Sequence, residues 1–270
     1  MAAANDLRGH MAVVTGASSG IGLCFCRTLA ERGCGLVMIS NQKEQLDQCA
    51  AAIASESDVE AIPLFCDLTC ADATEKIIGF IDSRGLDPDI LINNAGIFSF
   101  LPVTDTSARR LECFISLHVS AVTMLSRAFA DRFIRRGGGR ILNMSSMSCW
   151  MPMPGLAMYA ATKAYIRVFS RSLHYETRES GVTVTVACPG GIATDLFGLP
   201  RNLQRLALRL GVLQSPEKFT RNAVRKMLKG RKQYINGWLN RLSIVFVAAL
   251  PTRVRMAVKH RMLDKNITRP

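Results

Sequence analysis

The sequence predicts an α/β fold built on a doubly wound parallel sheet, in one domain spanning 1–270. Two observations carry this reading. Six short apolar runs rich in β-branched residues, at 11–14, 36–39, 61–65, 90–92, 141–144 and 182–187, are separated by helix-like segments. Strands that alternate with helices pair in parallel and are covered on both faces. The first run leads directly into Thr15-Gly16-Ala17-Ser18-Ser19-Gly20-Ile21-Gly22 and then into a helical segment, 23–31, that ends at Gly33. With 49% hydrophobic residues in 270, the chain has ample material for such a core. No internal repeat, low-complexity tract or polar linker marks a domain boundary.

Taken in order, the first strand, glycine-rich turn and helix make a phosphate-binding unit. Glycines let the backbone approach an anion closely, and a helix N-terminus points N–H groups at it. The hydroxyls of Thr15, Ser18 and Ser19 add donors. The second strand ends at Ser40-Asn41, the third is followed by Asp67-Leu68, and the fourth runs into Asn93-Asn94-Ala95-Gly96. The fifth leads to Ser146, after which Met151-Pro152-Met153-Pro154-Gly155 breaks the chain before a helix that carries Tyr159 and Lys163.

Tyr159 and Lys163 are four residues apart, so a helix presents them on one face. The broken loop lets the Ser146 hydroxyl fold back toward the phenol. A free tyrosine has a pKa of about 10 and is a poor acid or base at neutral pH unless a nearby cation stabilises its phenolate. With Lys163 as that cation, the phenol can exchange a proton with a carbonyl or alcohol oxygen that Ser146 orients. A YxxxK spacing also arises by chance on amphipathic helices; here it coincides with the phosphate-binding unit.

At these residues the chain resembles the short-chain dehydrogenase/reductase family. Thr15 to Gly22 is similar to its TGxxxGIG motif, Asn93-Asn94-Ala95-Gly96 to its NNAG motif, and Ser146, Tyr159 and Lys163 stand at its catalytic spacing. Cys188-Pro189-Gly190-Gly191-Ile192-Ala193-Thr194 resembles the segment that packs near the nicotinamide. The resemblance, which runs over 11–195, implies a Rossmann-type fold and hydride transfer with NAD(P). It implies cofactor contacts from Thr15, Gly16, Ser18, Ser19, Gly20, Ile21, Gly22, Asn94, Ala95, Gly96, Tyr159, Lys163, Pro189, Gly190, Ile192 and Thr194, with Asp67 and Leu68 at the adenine. Where the family commonly has a fourth catalytic residue, an asparagine, this chain has His118. That residue either supports a proton relay, through backbone or imidazole, or packs in its helix.

NAD-preferring members of the family carry an acid after the second strand, and here Ser40 and Asn41 stand there. Lacking a carboxylate, Ser19, Ser40, Asn41 and Lys43 can accept a 2′-phosphate, so NADP(H) is the expected cofactor. Lys43 reads equally as a solvated first-turn residue.

Nine cysteines, an odd number without framework spacing, argue against a disulfide scaffold, and no CxxC with histidines predicts a metal site. Cys149, beside the catalytic positions, is either a modifiable thiol or core. Residues 1–10 are short and polar, so no cleavable signal peptide is expected. A reducing, cytoplasmic setting follows.

The charge is concentrated at one end. From Arg201 onward there are 17 Lys and Arg against two acids, Glu217 and Asp264, whereas the preceding 200 residues carry 17 against 19. These basic residues are interleaved with Leu, Val and Met rather than stacking aromatics, which disfavours nucleic acid. Arg201, Arg205 and Arg209 oppose Leu203, Leu206, Ala207 and Leu210, predicting an amphipathic substrate lid over 196–214. Ser215-Pro216-Glu217 reads as a helix start. The basic, apolar extension 238–270 has an apolar stretch far shorter than the roughly 20 residues that span a bilayer. It reads either as a terminal helix packed on the core or another subunit, or as peripheral membrane contact.

Phe98, Met147, Trp150, Met151, Met153, Met158, Phe197 and Leu199 lie near the catalytic positions in sequence and read either as walls of an apolar pocket or, for some of them, as filling of the core or a dimer face. The expected activity is therefore NAD(P)-dependent oxidoreduction of a hydrophobic ketone or secondary alcohol, steroid-like or fatty-acyl, by a homodimer or homotetramer. Two alternatives remain: a non-catalytic cofactor- or lipid-binding protein of the same fold, and an epimerase or dehydratase using the YxxxK pair.

Overall fold

The computed structural model describes residues 6–190 and 214–263. Within them, one parallel sheet of seven strands has the order β3-β2-β1-β4-β5-β6-β7. The strands are β1 Met11–Thr15, β2 Gly35–Ser40, β3 Ala61–Phe65, β4 Ile90–Asn93, β5 Gly139–Met144, β6 Val182–Ala187 and β7 Gln233–Tyr234. The six expected strands all form, with small shifts at their ends. The seventh has two residues, paired to β6 through Val186↔Gln233 and Ala187↔Tyr234, and is too short and polar to register as an apolar run.

Helices cover both faces: α1 Gly20–Ala30, α2 Lys43–Ser57, α3 Ala73–Ser83, α4 Ala108–Ile115, α5 Ala121–Arg136, α6 Ala157–Thr177, α7 Pro216–Leu228, α8 Trp238–Ala248 and α9 Thr252–Val258. The two-residue alternation of a strand sorts the core into layers. Val14, Leu36 and Met38 face Phe25 and Leu29 of α1, Ile53 of α2 and Phe219 of α7. Val13, Val37 and Leu91 face Ile77 of α3 and Leu125, Phe129 and Phe133 of α5. The continuous helix Ala108–Arg136 is long and apolar enough to cross a bilayer, yet it buries Leu125, Phe129 and Phe133 completely against the sheet. α7 begins as its sequence implies: the Ser215 hydroxyl accepts from the Lys218 N–H, and Pro216 occupies the first turn.

β1 pairs with β2 on one side and β4 on the other, so the strand order reverses there. A crevice opens beyond the carboxyl ends of strands at such a reversal. A buried amide network braces this end: Asn93 donates to Asn143 at 2.9 Å, and Asn143 donates to Ser170 of α6 at 2.9 Å. Ser126 of α5 accepts from Asn93 at 3.2 Å. Two strands and two helices are thus joined directly beneath the loops of the site.

Candidate active site

The loop after β1 is shaped by its glycines. Gly16 and Gly20 have φ of +65° and +53°, the left-handed region that L side chains rarely adopt. A Cβ on Gly22 would stand 1.9 Å from the Gly16 carbonyl oxygen, so α1 seats directly on the loop only because that atom is missing. Gly16, Ser18, Ser19, Gly20 and Ile21 line a cleft of ≈ 840 Å³, with the N-terminus of α1 facing it. Ser19 makes no side-chain cap bond and is exposed.

Two of the expected contacts differ. Thr15 is buried, and its hydroxyl accepts from the Asn94 and Ala95 N–H groups, both at 3.0 Å. It fastens β1 to the Asn94-Ala95-Gly96 loop and does not line the cleft. Gly22 likewise serves helix packing. Asn94, Ala95 and Gly96 do line the cleft, with the Asn94 amide donating to the Thr15 carbonyl at 3.1 Å.

Ser40, Asn41, Asp67 and Leu68 line the far end. The Ser18 and Ser40 hydroxyls are 2.9 Å apart, and Ser18 also donates to Gln42 Oε1 at 3.1 Å. Asp67 is turned to its own loop, accepting from the Thr69 N–H and hydroxyl at 2.9 and 2.8 Å. The end of β2 thus presents neutral polar groups. Lys43 is exposed and pairs with Asp47 at 2.9 Å, which makes it the solvated first-turn residue of the two readings. Gln42 and Thr69, which also line this end, carry no motif and were not legible as site residues.

Ser146, Tyr159 and Lys163 converge at the other end of the cleft. Ser146 accepts from the Ser148 N–H at 3.1 Å, which leaves its own O–H to donate outward. Tyr159 is buried; burial pushes its pKa up, while a hydrogen bond with Ser146 pulls the other way. The expected lowering by Lys163 is absent because the ammonium lies 5.7 Å from the phenol ring centroid and donates to the Met144 carbonyl at 3.0 Å. Burial brings Lys163 itself down to about 8. At neutral pH the site therefore holds a protonated phenol beside an ammonium. Ser145, missed in the sequence, anchors the catalytic helix by donating to the Lys163 carbonyl at 2.6 Å.

His118 lies in a π-helical turn, Ser116–Ser120, between α4 and α5, a feature frequent at functional sites. Its imidazole is fully buried and does not merely fill space. Nε2 accepts from the Ile97 N–H at 3.0 Å, so the ring proton is on Nδ1, which donates to the Thr162 hydroxyl at 3.0 Å. Thr162 in turn donates to the Tyr159 carbonyl at 3.1 Å. Burial, with the Lys163 charge adding, holds the imidazole neutral at a pKa of about 2. A Cβ on Gly96 would sit 2.9 Å from His118 Nε2 and 3.4 Å from Lys163 Nζ. The imidazole thus joins the loop after β4 to the catalytic helix and is no acid/base in the physiological range.

The described apolar residues expected near the site lie outside the cleft wall, as the second reading of them has it. Phe98 packs edge-on against Tyr159 at 5.0 Å. Trp150 is covered by the Arg167 guanidinium at 4.4 Å and packs with Cys188, away from the cleft. Met147 is buried, and Met151, Met153 and Met158, although half-buried, do not line the cleft. Instead α4 and the π turn contribute Arg109, Glu112, Cys113 and Ser116. Cys149 packs with Cys188, and a hydrogen bond from that thiol lowers its pKa. Pro189 and Gly190 line the catalytic end, with the Gly190 N–H donating to Asn236 at 2.6 Å. Ile192, Thr194, Phe197, Leu199 and the expected lid, apart from Gln214, lie outside the described residues.

The family model described as short chain dehydrogenase matches residues 10–202. The chain belongs to this family. It is 32% identical over 252 residues to the very-long-chain 3-oxoacyl-CoA reductase of Bos taurus, covering 90% of this chain and 76% of that protein. It is also 30% identical over 249 residues to the inactive hydroxysteroid dehydrogenase-like protein 1 of Homo sapiens, covering 90% of this chain and 73% of that one. Among solved structures, a short-chain dehydrogenase from Sphingobium yanoikuyae in complex with NADPH superposes with a TM-score of 0.77 at 27% identity, over 94% of this chain and 96% of that one. The glycine cradle, the α1 N-terminus facing an open cleft and the neutral end of β2 fit a dinucleotide of the family's kind.

Proposed function

We propose that this short-chain dehydrogenase is an NADP(H)-dependent reductase of lipophilic ketones, with fatty-acyl substrates of the 3-oxoacyl type foremost. The observation that carries the reading is the convergence of Ser146, Tyr159 and Lys163 at one end of the dinucleotide-sized cleft. The cofactor, when bound, supplies hydride to the carbonyl carbon. The Gly16–Gly20 loop would hold its phosphates, Ser40 and Asn41 the adenosine ribose with its 2′-phosphate, and Lys163 the nicotinamide ribose. Ser146 donates a hydrogen bond to the carbonyl oxygen, and Tyr159 gives it a proton. A phenol kept protonated by burial suits this direction. Lys163 stays an ammonium at neutral pH, the form that would donate to the ribose hydroxyls.

Two supports converge on substrate and cofactor: the 3-oxoacyl-CoA reductase among the relatives and the NADPH in the Sphingobium structure. The similarity to an inactive relative raises the non-catalytic reading, but the complete Ser-Tyr-Lys set weighs for turnover. Exposed Met124 on α5 and Val168 and Tyr175 on α6 favour a homodimer through these helices, read by light scattering. Nine cysteines standing as thiols suit a cytoplasmic setting. The direct test is NADPH and NADH oxidation with 3-oxoacyl thioesters of graded chain length, a bulky steroidal ketone and a ketose. Rates that rise with acyl length and favour NADPH agree with the proposal; a preference for the ketose overturns the substrate class.

A further inference from the structure

α8 exposes one apolar stripe. Trp238, Leu242 and Phe246, four residues apart and therefore aligned on one helix face, are 71%, 52% and 66% exposed. Ile244 of the same helix packs against the buried cluster of Val122, Ile166, Val186, Cys188 and Ile235, so α8 is held on the molecule while the stripe faces outward. After Pro251, α9 adds Val254 and Met256, 43% and 40% exposed. Arg241 and Arg253 are exposed among these residues, and the sequence has no carboxylate from 238 to 263. Large apolar side chains set among uncompensated basic ones match a surface that is apolar just below a layer of negative charge.

We propose that α8 and α9 dock the protein on an anionic membrane surface, with Trp238, Leu242 and Phe246 inserted at the headgroup level and Arg241 and Arg253 against lipid phosphates. The position gives the docking a use. Leu263, following α9, is buried beside Gly155, and Asn240 packs on Gly190, so the docked segment adjoins the loops that flank the catalytic residues. A lipophilic substrate leaving the bilayer would emerge beside them. The docking itself stands without the catalytic reading, since binding and turnover are measured separately.

The test uses the full chain and sedimentation with vesicles of phosphatidylcholine, with and without phosphatidylglycerol, at low and high salt. Binding is expected to vesicles containing phosphatidylglycerol and to weaken with salt. Loss of affinity is expected to be roughly fivefold for each of Arg241→Gln and Arg253→Gln, and at least about 30-fold for the Trp238→Ser/Phe246→Ser double variant. These four residues lie outside the catalytic and cofactor sites, so turnover of a short soluble ketone should stay at the unsubstituted rate and report that each variant folds. No sedimentation with anionic vesicles, or binding indifferent to the double variant, overturns the proposal. So does a double variant that falls from dimer to monomer in light scattering while the unsubstituted chain ignores vesicles, which would assign the stripe to a second copy.

Discussion

Replacing His118 with Asn should change how stability depends on pH, by an amount that follows from the structure. The folded chain holds this imidazole at a pKa of about 2, whereas the unfolded chain titrates it near 6.5. Because the folded value is the lower, the unfolded state binds a proton that the folded state refuses. The contribution is fully present above pH 6.5 and is lost as pH falls toward 2. Between pH 7 and pH 5 the loss from this one group is about 2 kcal/mol. His118→Asn should unfold more easily at pH 7 by about 1–3 kcal/mol, since the Ile97 N–H and Thr162 hydroxyl lose partners that asparagine cannot both replace. It should then lose about 2 kcal/mol less than the unsubstituted protein on going to pH 5. Urea unfolding at the two pH values measures both quantities, and titration of His174, buried in both proteins, largely cancels in the comparison. Equal losses for the two proteins would refute the buried, neutral assignment. With Tyr159 reached through Thr162, kcat should also fall about tenfold with little change in KM for NADPH.

Other consequences follow from single contacts. Lys163 deprotonates near 8, so kcat/KM for ketone reduction should be level below that pH and fall above it, and Lys163→Met should remove most activity at every pH. Gly22→Ala should destabilise the protein by about 1–3 kcal/mol and weaken NADPH binding, because its methyl meets the Gly16 carbonyl. Gly79→Ala, with nothing within 4 Å of the added carbon, should leave thermal stability equal or higher. Ser40→Glu should raise KM for NADPH about tenfold by repelling the 2′-phosphate and should favour NADH; an unchanged cofactor ratio would contradict the assignment of that end of the cleft.

Most of the fold was legible because each strand is a short apolar run closed by a glycine or polar turn, a local signal that tertiary packing reinforces. β7 escaped because Gln233–Tyr234 forms only by pairing with β6, a long-range event without a periodic pattern. In the site, spacing brought out Ser146, Tyr159 and Lys163, since the four-residue interval of a helix is itself geometry. The partner atoms were hidden. Nothing in the sequence says that Thr15 spends its hydroxyl on Asn94 and Ala95, that Lys163 turns to the Met144 carbonyl, or that His118 bridges Ile97 and Thr162. Trp150 is the same case: adjacency in sequence to Ser146 does not reveal that the indole lies under Arg167.

The proposed reduction requires that Tyr159 protonate a carbonyl oxygen while hydride arrives from NADPH. Single-turnover oxidation of NADPH with a 3-oxoacyl thioester, compared between the unsubstituted protein and Tyr159→Phe, tests it most directly. Rapid oxidation is expected from the first and a rate at least about 100-fold lower from the second, with NADPH binding retained in both. A Tyr159→Phe protein that reduces the ketone at the full rate would contradict it.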